Sequence, residues 1–197
     1  MRRFPEILKF SLLALFLMIP VSSMALGARG TLQKFNTQAQ NLLKNNPEKQ
    51  KTKVARLVGR LLDYNELAQA SLGKHWKDRT EPEQKEFVRT LRDLIEKNYI
   101  DQLKDQVDYD ITYHDEEKLK DNRVQVGTTL ITGRPPRQTE TEVVYVMKRK
   151  GGEWLVIDVI TDDVSLTRNY RSQFGKIISE KGYGELIAKM KKKLNEN

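Results

Sequence analysis

The chain has 197 residues, a formal net charge of +8 at pH 7, two histidines and no cysteine. This length suits one domain of ordinary size. Without cysteine the chain has neither a disulfide framework nor a thiol nucleophile, so a stable fold requires an apolar core. The positive charge suits contact with nucleic acid, anionic lipid or an acidic protein, although cations spread along helices often form only a solvated face.

Residues 1–25 have the features of a cleaved secretory signal peptide. Arg2 and Arg3 precede an apolar run at 11–21, and small residues follow it. The run is too short for a membrane span, which needs about 20 residues. We expect cleavage after Ala25, or as late as residue 28, and a single mature domain at 29–197. Secretion argues against a nucleic-acid partner.

Helical periodicity dominates the first part of the mature chain, residues 31–104. The spacing of apolar residues predicts helices at 31–45, 47–62, 64–72 and 80–104. Asp63 is placed to cap the third helix, and Gly73 is placed to end it. Thr80 and Glu83 have the spacing of a capping box at the start of the fourth helix.

Alternation of apolar and polar residues replaces this pattern over residues 107–161 and predicts strands. Four strands are expected, at 107–114, 122–132, 139–149 and 153–161. Gly151-Gly152 is a hairpin signal, and consecutive prolines place residues 133–138 in a loop. Short sequential connections favour an antiparallel sheet. Residues 162–194 are helical again, with Asp162 or Asp163 expected to cap the first of two helices.

The third and fourth strands are apolar on both faces, at 143–147 and 154–159. Helices or a ligand must therefore cover a face that would otherwise meet water. Together the patterns predict an α+β fold.

The sequence offers little for catalysis or metal binding. His75 and His114 are isolated, neither has a serine at motif spacing, and no group of residues has metal-ligand spacing. Asp158 interrupts an apolar strand and needs a partner if it is buried. It could serve a cone-fold isomerase or hydratase as a general base, or pair structurally with Arg168 or Arg171. We favour the structural interpretation and a protein that is not an enzyme.

Four segments of the chain match one family in wording and order, at 62–76, 80–88, 153–174 and 182–190. The third contains Val164-Ser-Leu and Asn169-Tyr-Arg-Ser-Gln-Phe174. On these segments the chain resembles the MlaC family, periplasmic phospholipid carriers also described as toluene-tolerance auxiliary proteins. It departs from the family pattern at Asp163, where glycine is common, and at Gly182-Tyr-Gly184, where a Gly-Gly pair is common.

The resemblance implies an NTF2-like or MlaC-like fold. In it, a strongly twisted antiparallel sheet of about four strands packs against helices from both ends of the chain and encloses an apolar cavity. It implies a soluble carrier of phospholipid, without cofactor or metal, that maintains outer-membrane lipid asymmetry. The implied partners are an outer-membrane lipoprotein–porin complex and an inner-membrane ABC transporter with a membrane-tethered ring. A hopanoid or sterol-like cargo is the alternative.

Acyl chains need an internal site, because about 30 methylenes at about 0.8 kcal/mol each would cost about 24 kcal/mol in water. We expect tails to lie between the sheet and the helices. The expected contacts are Leu91, Leu94, Ile95, Tyr99, Val124, Val126, Val144, Val146, Trp154, Val156, Phe174 and Ile178. Arg134 and Arg137 are candidates to contact the head group.

Overall fold

The computed structural model describes residues 26–44, 47–105 and 109–196. The predicted signal peptide, the end of the first predicted helix at residue 45 and the start of the first predicted strand at residues 107 and 108 lie outside the described residues. Within them, no helix has both the length and the apolar character needed to cross a membrane.

Helices from both ends of the chain flank the strands. Their bounds are Ala28–Lys44 (α1), Pro47–Leu61 (α2), Tyr64–Leu72 (α3), Glu81–Asp105 (α4), Leu166–Lys181 (α5) and Tyr183–Asn195 (α6), with a 3₁₀ turn at Gly73–Trp76. The predicted caps of α3 are confirmed: Asp63 accepts hydrogen bonds from the N–H groups of Asn65 and Glu66, and Gly73 ends the helix at φ 54°.

The capping box of α4 is also confirmed. The backbone N–H of Thr80 donates to the Glu83 carboxylate at 2.8 Å, and the Glu83 N–H lies 3.4 Å from the Thr80 hydroxyl. Two donors that the helix cannot satisfy internally are paired in this way.

The described strands form one antiparallel sheet of five strands in the order β1-β2-β3-β4-β5. Their bounds are Tyr109–Lys118, Arg123–Thr132, Thr139–Lys150, Glu153–Thr161 and Val164–Ser165. The α+β antiparallel prediction is confirmed, and the two-residue β5 adds an edge strand to the four expected. The turn at Gly151 and Gly152, both at positive φ, joins β3 to β4 as predicted.

The register separates two faces of the sheet, because paired residues share a side and successive residues alternate. Val126 pairs with Tyr145, and Met147 pairs with Val156. We call this side the inner face. Val144 and Val146 lie on the opposite face, where they pair with Ile160 and Asp158.

Apart from Val146, the buried apolar residues of the described chain form two clusters. The sheet cluster joins α1 and α2 to the inner face, through Ala28, Leu32, Phe35, Ala39, Leu43, Val54, Leu57, Val58, Leu61, Val124, Val126, Met147 and Val156. The helical cluster joins α3, α4, α5 and α6, through Leu67, Ala68, Leu72, Phe87, Leu91, Leu94, Phe174, Leu186, Ile187 and Met190.

The junction between α2 and α3 is fixed to the edge of β4. Leu62 forms a bridge with Val156, and the Asp63 N–H donates to the Val156 carbonyl at 2.9 Å. Lys150 lies 2.8 Å from the Asp63 carboxylate. Burial raises the pKa of Asp63, but the hydrogen bonds from Lys150 and from the backbone outweigh it, so the pKa is lowered overall.

The corner between β4 and α5 corrects one prediction. Ser165, not Asp162 or Asp163, is the N-cap of α5 and accepts from the Arg168 N–H at 3.1 Å. Asp162 and Asp163 instead form the tight turn before β5, with φ of 45° and 64°. Glycine tolerates this left-handed conformation best, which gives a physical reason for the glycine that the family pattern has at Asp163.

Candidate functional site

The sheet cluster has a rim of apolar side chains that are only partly buried. Aromatic residues dominate it: Tyr99 from the end of α4, Tyr109 and Tyr113 from β1, Tyr145 from β3 and Trp154 from β4. A floor of fully buried residues lies beside them, including Val126, Met147 and Val156, each at 0% exposure. The inner face therefore combines a packed floor with accessible apolar walls.

The tyrosines of this rim are desolvated although they keep accessible surface. Burial raises the pKa of Tyr99 well above its ordinary value and also raises that of Tyr145, and it raises the pKa of Tyr109 to about 12. All three side chains are nevertheless only partly buried. These phenols therefore lie among protein atoms and still keep part of their surface accessible.

Helix α1 is attached to the first strand beside these tyrosines. The Asn36 side chain donates to the Tyr113 hydroxyl, and the Gln40 side chain donates to the Tyr109 carbonyl at 3.0 Å. The rings of Phe35 and Tyr99 lie 6.2 Å apart. Burial raises the pKa of Tyr113, while the hydrogen bond from Asn36 opposes that increase. These contacts fix Tyr99, Tyr109 and Tyr113 beside helix α1.

Comparison with known proteins identifies the family. The profile of the MlaC protein family matches residues 29–192, most of the chain. The chain belongs to the MlaC family.

A relative from Haemophilus influenzae, the intermembrane phospholipid transport system binding protein MlaC, is 28% identical over 145 residues. The match covers 69% of this chain and 65% of that relative. Among solved structures, a phospholipid-binding protein from Ralstonia solanacearum in complex with a phospholipid superposes with a TM-score of 0.74 at 20% identity. The superposition covers 86% of this chain and 97% of the R. solanacearum chain. At this identity the superposition supports the MlaC fold.

The structure divides the twelve predicted cavity residues into three groups. Five adjoin the sheet cluster: Tyr99, Val124, Val126, Trp154 and Val156. Another five belong to the helical cluster or pack against it: Leu91, Leu94, Ile95, Phe174 and Ile178. Val144 and Val146 lie on the opposite sheet face. The predicted set is thus distributed over two packed clusters and the opposite sheet face, and its assignment to a lipid cavity stays a prediction.

Sequence reasoning missed the inner-face residues Tyr109, Tyr113, Tyr145 and Met147. A signal for two of them was present. A two-residue turn at Gly151-Gly152 fixes the hairpin register, so Met147 must share a face with Val156, and Tyr145 must share it too. The predicted set combined Trp154 and Val156 with Val144 and Val146. It therefore mixed residues from the two faces of the sheet.

The predicted head-group residues lie in the loop between β2 and β3. Arg134 and Arg137 are exposed there. The loop follows Thr132, which pairs with Tyr109 at the start of β1. The two arginines are thus at the end of the sheet where the aromatic rim begins.

Asp158 has a structural environment. Its carboxylate accepts hydrogen bonds from the Ser165 hydroxyl at 2.6 Å and from the Thr167 N–H at 3.1 Å. The predicted arginine partner is wrong for Arg171, whose Nε donates to the Ala70 carbonyl at 2.8 Å. Asp158 therefore ties the end of β4 to the first turn of α5, and it does so through neutral donors. Across the described residues, no three histidine or carboxylate side chains gather as a metal site would require.

Proposed function

We propose that this MlaC-family protein is a soluble periplasmic phospholipid carrier. The acyl chains of its bound lipid would lie between the inner sheet face and helices α1, α2 and α4. The observation that carries the proposal is the aromatic rim, where Tyr99, Tyr109 and Tyr145 pack against the sheet cluster and keep part of their surface accessible. An apolar guest would cover that surface. The printed descriptions of the H. influenzae relative and the R. solanacearum structure, which name phospholipid, support the same cargo.

The proposed tail site retains Tyr99, Val124, Val126, Trp154 and Val156 from the sequence analysis. It adds the inner-face tyrosines at 109, 113 and 145. Tails at this site would avoid the roughly 24 kcal/mol that exposure of two acyl chains to water would cost. The tyrosine hydroxyls place weakly polar groups near the rim, while Arg134 and Arg137 remain our candidates for the phosphate.

We also propose the cellular setting. Residues 1–25 would be removed on export, and residues 29–197 would be the mature domain. The carrier would exchange lipid with an outer-membrane lipoprotein–porin complex and with an inner-membrane ABC transporter that has a membrane-tethered ring, and so maintain outer-membrane lipid asymmetry. Family membership over residues 29–192 supports this setting.

Lipid extraction from the purified protein, followed by mass spectrometry, tests the cargo. We expect phospholipid in near-stoichiometric amount and transfer of labelled phospholipid from vesicles. A hopanoid or sterol-like molecule in place of phospholipid would replace the proposed cargo. Protein without bound lipid and without transfer activity would refute the carrier function.

A matched pair of variants tests the position of the tails. Ile111 and Ile131 are both partly buried and lie in the neighbouring strands β1 and β2. Ile111 pairs with Leu130 on the inner face, whereas Ile131 pairs with Asp110 on the opposite face. We expect Ile111→Glu to reduce bound phospholipid at least several-fold and Ile131→Glu to leave it nearly unchanged, since a charge beside acyl chains is strongly unfavourable. The reverse result would place the tails on the opposite face.

A further inference from the structure

Helix α2 carries a stripe of cations on its exposed side. Lys53, Arg56 and Arg60, which we call the α2 stripe, are all exposed. At 100° and 1.5 Å per residue they fall within an arc of about 60° and span about 10 Å along the helix. They thus form a narrow line of positive charge.

The carboxylates of the described residues leave the α2 stripe unpaired. Among the described residues, no carboxylate is hydrogen-bonded or ion-paired to Lys53, Arg56 or Arg60. Other exposed cations do have such partners, as Lys191 has in Glu86 at 2.6 Å. Glu96 reaches the α2 backbone near Gly59, but its carboxylate accepts from the Tyr64 hydroxyl at 2.9 Å.

The same helix covers the candidate lipid site with its other side. Val54, Leu57, Val58 and Leu61 are buried in the sheet cluster at 1–6% exposure. A surface that binds the α2 stripe would therefore lie directly over one wall of that cluster. This relation to the cargo rests on the proposed function, whereas the charge pattern does not.

We propose that the α2 stripe docks the protein on the surface of an anionic phospholipid bilayer. Lipid phosphates offer acceptors at any spacing along a line of cations, and lysine and arginine both bind them. A protein partner would instead require apolar or aromatic anchors at the centre of the interface. The large hydrophobic residues exposed in the described chain are Leu26 and Val164, both outside α2. The contact is therefore electrostatic and weakens as salt is added.

Vesicle co-sedimentation of the full mature protein tests this docking. We expect binding to phosphatidylglycerol vesicles at low ionic strength, little binding to phosphatidylcholine vesicles, and release at high salt. The variant Lys53→Gln/Arg56→Gln/Arg60→Gln should bind roughly a hundredfold more weakly. Its phospholipid content should stay unchanged, which separates docking from cargo binding.

The control variant removes the same charge elsewhere. Lys176, Lys192 and Lys193 are exposed on α5 and α6, and their triple change to glutamine should weaken vesicle binding no more than a few-fold. Equal losses in the two variants would show attraction by net charge alone and overturn the proposal. Failure of the wild type to bind anionic vesicles would also overturn it. Stripe-dependent binding to poly-glutamate in that case would assign the stripe to an acidic protein.

Discussion

Replacement of Asp158 by alanine should destabilise the fold through loss of the corner between β4 and α5. The carboxylate accepts from the Ser165 hydroxyl at 2.6 Å, from the Thr167 N–H at 3.1 Å and from the Val159 N–H at 3.0 Å. A hydrogen bond to a charged group contributes about 1.5–3 kcal/mol, and an unmet donor in the first helical turn costs about 1 kcal/mol. Since Asp158 is partly exposed, we expect a total loss of about 3 kcal/mol.

Urea unfolding followed by circular dichroism measures this loss, and the melting temperature should fall by roughly 6–12 °C. Asp158→Asn keeps one acceptor oxygen and should lose about half as much. Asp162→Asn removes the same charge from an exposed neighbouring turn and should change little. A loss below about 1 kcal/mol in Asp158→Ala would refute the structural role. Full stability combined with loss of an isomerase or hydratase activity would instead favour the interpretation of Asp158 as a general base.

Three further predictions concern pH and packing. Because the pKa of Asp63 is lowered, the ionised carboxylate stabilises the fold fully above its ordinary pKa, and this stabilisation is lost as the pH falls below about 4. Asp63→Asn should therefore flatten that part of an acid denaturation curve. The pKa of Tyr109, about 12, should appear as a late step in the ultraviolet titration of tyrosinate, and the stability that its neutral phenol contributes should be lost as the pH rises from about 10 toward 12. An ordinary value near 10 would contradict its desolvation. Met147, at 0% exposure, should lose about 2–5 kcal/mol on change to alanine, and Val144→Ala, at a partly exposed site, should lose less in the same urea assay.

Local sequence signals correctly predicted the helix caps in which the capping residue and its partner are close together in the chain. Asp63, Gly73, Thr80 and Glu83 act within a few residues of their partners, so their roles follow from spacing. The prediction for the N-cap of α5 was wrong because two contacts meet at that corner. Ser165 caps the helix, and its hydroxyl also donates to Asp158. Ser165 and Asp158 are seven residues apart and meet through the turn before β5.

The candidate site could be predicted only in part. Its residues depend on which sheet face each strand residue occupies and on how the helices pack in the folded chain. Tyr99 and Val126 were predicted from periodicity, and both adjoin the sheet cluster, but periodicity does not show which cluster a helix face joins. Leu91 and Tyr99 lie on the same helix α4, yet one belongs to the helical cluster and the other borders the sheet cluster. Helix α4 is long enough to pass from one cluster to the other, and only the folded chain shows where that change occurs.

If the protein carries lipid as proposed, the separation into two clusters has a thermodynamic consequence. An enclosed space lowers stability, because its walls lack packing partners whenever it is empty. The helical cluster can offset this, since it is well packed, with the rings of Phe87 and Phe174 edge-to-face at 5.8 Å and those of Tyr170 and Phe174 stacked at 5.0 Å. The sheet cluster can then keep accessible walls. Damage to the helical cluster should therefore reduce stability whether or not lipid is bound, while changes at the inner-face rim should alter cargo first.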